Sequence, residues 1–126
     1  MSLEKLLEEG LIGAIEPTRQ LVEKALELAE SDLSTAKAVL QTSNFDWTLA
    51  IAYNSMLQSG RALMFHCGFR PKGEYKHVAV VKFAAEKLGR ESSGLVKLFN
   101  TARKRRNLVV CQLPPSKDGG LLNPDA

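Results

Sequence analysis

The chain has 126 residues, a quarter of them charged, with few aromatic residues and a formal net charge of +3. That length corresponds to one domain with a workable core, and the composition excludes a disordered chain. A charge of +3 is too small to define a nucleic-acid binder by itself, so its distribution along the chain carries the information.

Acidic residues gather early, at Glu4, Glu8, Glu9, Glu16, Glu23, Glu27 and Glu30, whereas none occurs between Glu91 and Asp118. Inside that acid-free stretch stand Lys97, Arg103, Lys104, Arg105 and Arg106, enough for a local patch that attracts phosphate. Cys67 and Cys111 have neither CxxC spacing nor a histidine at metal-ligand spacing, so two reduced cysteines and no metal are expected, and no cofactor motif is present. No segment approaches the ~20 apolar residues of a membrane span, and the N-terminus lacks a signal-peptide pattern. A cytoplasmic protein with no membrane partner is expected.

In chain order, Leu3–Pro17 carries a short N-terminal helix weakened by Gly10 and Gly13. Pro17 then opens a long amphipathic helix from Thr18 to about Gln41, whose apolar residues Leu21, Val22, Ala25, Leu28, Ala29, Leu33, Ala36 and Leu40 recur at steps of three and four. A second helix, capped by Asp46 and stopped by Gly68, is apolar on more than one face and is expected to be central. Arg70 to Gly73 form a break, a third helix ends at Gly89, and Ser92 or Ser93 caps a fourth that runs to about Val110. Residues 112–126, with three prolines and two glycines, read as a loose tail. No strand-like alternation is present, so the expected fold is all-α: an up-and-down bundle of four main helices spanning residues 1–111.

On the fourth helix the apolar stripe passes through Leu95, Leu98, Phe99 and Ala102 to Val109, and Arg106 falls on it. A guanidinium there must pair with an acid of the first long helix, open onto a cleft, or face a subunit interface. Arg103 and Lys104 fall away from the stripe and Arg105 on its flank, where solvent accounts for them unless they bind an anion. His77 reads as a helix-start histidine bonded to the backbone, and Tyr53 as a core aromatic with its hydroxyl satisfied.

The stretch "DLSTAKAVLQTSNFDWTLAIAYNSMLQSGRALMFHCGFRPKGEYKHVAVVKF", followed by "LFNTARKRRN", resembles the HEPN domain family (higher eukaryotes and prokaryotes nucleotide-binding), in particular its small stand-alone prokaryotic members. The resemblance covers residues from about 18 to 111. It implies a helical bundle that dimerises, often alongside a minimal nucleotidyltransferase, and in many members a metal-independent ribonuclease. That signature is an Arg followed by a polar residue, then a His after four to six positions, with two copies meeting across the dimer.

Arg106 matches the signature Arg and Asn107 the polar residue, but Cys111, Gln112 and Leu113 stand where the His belongs. None of these replaces an imidazole near neutral pH, where a proton must leave the 2′-hydroxyl or reach the leaving oxygen. Cys111 reads as an inert thiol in an apolar run. Arg61 with His66, and Arg70 with His77, match the spacing formally but lie outside the last helix. With Arg106 and Asn107 on a mostly apolar stripe and a basic last helix, the expectation is a homodimer through the second and fourth helices that binds RNA or a partner protein. It would be a toxin–antitoxin-type component with a degenerate ribonuclease site at Arg106 and Asn107, and with Lys97, Arg103, Lys104 and Arg105 on RNA. Two alternatives stand beside it: an active metal-independent endoribonuclease toxin that takes its imidazole from His77 or His66, and a protein-binding partner of a minimal nucleotidyltransferase.

Overall fold

Six residues after Ser2 form the first helix, α1 (Leu3–Glu8), because the Ser2 hydroxyl accepts from the Lys5 N–H. The structure, a computed structural model, describes residues 2–111, and the side chains of residues 2–108. Thr18 caps α2 (Arg19–Leu40) by accepting from Leu21 N–H. Asn44, not Asp46, caps α3 (Phe45–His66): its Oδ1 accepts from the Trp47 N–H at 3.2 Å. Asp46 sits instead in the first turn, where its charge favours the positive end of the helix dipole. Gly68, at φ +86°, follows α3 in the left-handed conformation that its lack of a side chain permits. Then come α4 (Lys76–Leu88), a 3₁₀ turn (Arg90–Ser92) and α5 (Ser93–Cys111).

The bundle is mostly helical, as its periodicity indicates, but it also carries a small sheet. β1 (Ile12–Ala14) pairs antiparallel with β2 (Phe69–Pro71), placing Ile12 opposite Pro71 and Ala14 opposite Phe69. The all-α bundle stands, but the strand pairing was not expected, and β2 occupies the start of the break expected at 70–73. The pairing is extended by Ile15 N–H to Gly68 C=O and Lys72 N–H to Leu11 C=O, both 2.9 Å, and it fastens the N-terminal segment to the end of α3.

Helix α3 is central and packs against α2, α4, α5 and β2. Its Tyr53, Leu57 and Met64 join Leu6, Ile12, Val80, Phe83 and Phe99 in the core. Gly60 lets α4 come close: a Cβ there would overlap the Val80 Cγ1 methyl. Helix α2 makes its helix contacts with α3 through the small residues Ala25, Ala29 and Ala36, and the Ser55 hydroxyl donates to Ala29 C=O at 2.7 Å. The leucines of α2 assigned to the core by spacing, Leu21, Leu28, Leu33 and Leu40, lie exposed on either flank of that alanine line. A helix with one helical neighbour buries a narrower arc than periodicity alone implies. Among the described residues no helix is long and apolar enough to cross a membrane.

Candidate functional site

The cations of α5 point in two directions. Phe99, Ala102 and Arg106 are buried, whereas Leu95 and Leu98, assigned to the same stripe by spacing, are exposed. The buried arc of α5 is therefore centred on Arg106 rather than on the leucines.

Arg106 is 8% exposed, and its guanidinium carbon stands 5.9 Å from the centroid of the Tyr53 ring. Its Nη1 donates to Asn107 Oδ1 at a long 3.3 Å. Among the described residues no carboxylate pairs with it, so the ion pair with an acid of the first long helix is not formed there. The electron-rich ring face substitutes in part, an attraction of about 0.5–2 kcal/mol. That is small beside the cost of desolvating a guanidinium, so Arg106 is an expensive residue for a core.

Tyr53 is fully buried and joins three helices. Its hydroxyl is hydrogen-bonded to His77 Nδ1 at 3.1 Å, and its ring centroid lies 5.7 Å from those of His77 on α4 and Phe99 on α5. The sequence reading of Tyr53 as a satisfied core aromatic holds, whereas His77, read as a cap or backbone-bonded histidine, bonds the Tyr53 hydroxyl, and α4 begins without a side-chain cap. Arg61, two turns beyond Tyr53 on α3, is half-buried, and its Nε has no hydrogen-bond partner among the described residues. Burial lowers its pKa from the ordinary arginine value, an effect the nearby Tyr53 phenol opposes. Sequence spacing registered Arg61 only as a formal match with His66, which is exposed beside Thr18 and Arg19. Five residues apart on a helix, the two point to different faces. Arg70, on β2, is exposed whereas His77 is buried.

The outward cations meet elsewhere. Lys97, Arg103 and Lys104 of α5 line a hollow of about 390 Å³ against α4, which contributes Lys82. Among the described residues no carboxylate lines it. Arg103 is half-buried, and its Nε donates to Asn100 Oδ1 at 3.3 Å. Arg105 is exposed and does not line this hollow, so the four cations read from sequence do not form one cluster. Lys82 was missed because it lies outside the acid-free stretch; the available signal was its place on the flank of the apolar stripe of α4.

An apolar hollow of about 420 Å³ lies between α3, α4 and α5, walled by Met56, Leu63, Leu88, Leu95 and Phe99, and among the described residues no titratable side chain lines it. Among the described residues no group of three or more His, Cys, Asp or Glu could hold a metal ion. Cys111 ends α5, but its side chain, like the whole of residues 112–126, lies outside the described residues. In comparisons with protein-family models, curated proteins and solved structures, the chain matches none.

Proposed function

We propose that this chain is a HEPN-like RNA-binding domain of toxin–antitoxin type, a homodimer with a degenerate ribonuclease site. The observation that supports it is the division of cations on α5: Arg106 turned inward onto Tyr53, and Lys97, Arg103 and Lys104 turned outward with Lys82 around a surface that no carboxylate of the described residues lines. A single strand bound by four such cations loses affinity with salt at a logarithmic slope of about 0.7 per contact, or about fiftyfold for a fourfold rise in salt. Reversing Arg103 and Lys104 to glutamate is expected to abolish binding of single-stranded RNA while the helical circular-dichroism signal stays unchanged. Binding indifferent to salt and to this double change would contradict the reading.

The degenerate character follows from the proton-transfer groups. Cys111 occupies the place of the signature His, and His77 is buried with Nδ1 engaged by Tyr53. The active-ribonuclease reading has one observation in its favour: His77 and Arg106 both lie against Tyr53, so an imidazole and a guanidinium already share a neighbour.

The homodimer is supported by α5 as well. Leu95, Leu98 and Leu108 are 58%, 60% and 63% exposed, and apolar surface of this kind on one helix suits a self-complementary contact. Light scattering at micromolar concentration is expected to give the mass of two chains, and Leu98→Glu the mass of one. A single-chain mass for the unmodified protein would remove the dimer.

A further inference from the structure

We infer that the groove between α4 and α5 is the track along which a single strand of RNA lies, with Lys82 of α4 and Lys97, Arg103 and Lys104 of α5 holding its phosphates. The inference rests on the RNA-binding reading and assigns the path of the strand. The hollow lined by those cations is continuous with a second, of about 540 Å³, because Ala85, Val96 and Lys97 line both. The second hollow adds Arg90 and Ser93, so among the described residues the combined surface carries five cations against one carboxylate, Glu86. Charge of one sign along a groove, contributed from both helices, suits a chain of regularly spaced anions.

The floor is aliphatic, from Val78, Val81, Ala85 and Val96, and among the described residues no aromatic side chain lines either hollow. Bases therefore find no stacking platform, and the strand is held by its phosphates with ribose and base edges over the valines. Such binding is indifferent to sequence and strongly dependent on salt. Neither Arg106 nor Tyr53 lines the track. A strand in it is retained without being laid on the buried guanidinium of the same chain, which fits an RNA holder better than a cutter.

Lys82→Glu and Ala85→Glu separate this path from a general basic surface. Ala85 is exposed on a helix and glutamate is a good helix former, so the variant is expected to fold, with circular dichroism as the check. Binding of a fluorescent oligouridylate to the full chain at low salt is expected to weaken about tenfold with each change, and by less than about threefold with Arg105→Glu, whose charge stands outside the track. Unchanged affinity in Lys82→Glu and Ala85→Glu, with affinity lost in the Arg103→Glu/Lys104→Glu variant, would overturn the track and leave RNA binding standing. No oligouridylate binding by the unmodified chain would overturn both. If an acidic amphipathic peptide binds, is displaced by Ala85→Glu, and oligouridylate does not bind, the groove belongs to a protein partner and the inference fails.

Discussion

Tyr53→Ala is expected to destabilise the protein by about 3–5 kcal/mol, the usual cost of emptying a large aromatic site in a core. The residue is fully buried, touches Phe99 and His77 through its ring, and offers that ring to Arg106. Removing it opens a cavity where α3, α4 and α5 meet and withdraws the one aromatic face against the Arg106 guanidinium. Tyr53→Phe keeps the ring and loses the bond to His77 Nδ1, at a cost of about 1 kcal/mol. Urea denaturation of both variants measures the difference. Equal losses would mean that the hydroxyl, not the packed ring, holds the three helices together; no loss in either would mean that Tyr53 is not the hub described.

Much of the helical framework was legible because its punctuation is local. Thr18 and the glycines at 68 and 89 mark helix ends that need no knowledge of the rest of the chain. Arg106 was legible for the same reason: three- and four-residue spacing from Ala102 and to Val109 placed it inward before any neighbour was known. What it would face was not legible. Tyr53 stands 53 residues earlier, and nothing in either segment encodes their contact.

The two strands were missed because each has three residues, one contains glycine and the other proline, and their partners are almost 60 positions apart. The leucines of α2 and α5 misled for a different reason. Periodicity names the apolar arc of a helix but not how many neighbours will cover it, and among the described residues α2 packs chiefly on α3. Lys82 joined the candidate site through tertiary packing alone, since the charge pattern of the last helix does not extend to α4.

The proposed degenerate site makes a gain of function the sharpest test. Cys111→His places an imidazole five positions after Arg106, the spacing of the signature that Arg106 and Asn107 otherwise match. A positioned general acid or base contributes about 10²–10⁴-fold to such a reaction, so the gain should stand clear of background. Arg106→Ala in the same chain is expected to remove it, because the cation of the signature pair is then gone from beside the developing charge on the phosphate. The most direct measurement is cleavage of mixed-sequence RNA, with chelator present, by the unmodified protein, Cys111→His, Cys111→His/Arg106→Ala and Arg106→Ala. The predicted result is intact RNA with the unmodified protein, cleavage with Cys111→His, and intact RNA again when Arg106→Ala is added. Cleavage by the unmodified protein that Arg106→Ala abolishes would contradict a degenerate site, and loss of that activity in His77→Ala would assign the proton transfer to the imidazole beside Tyr53.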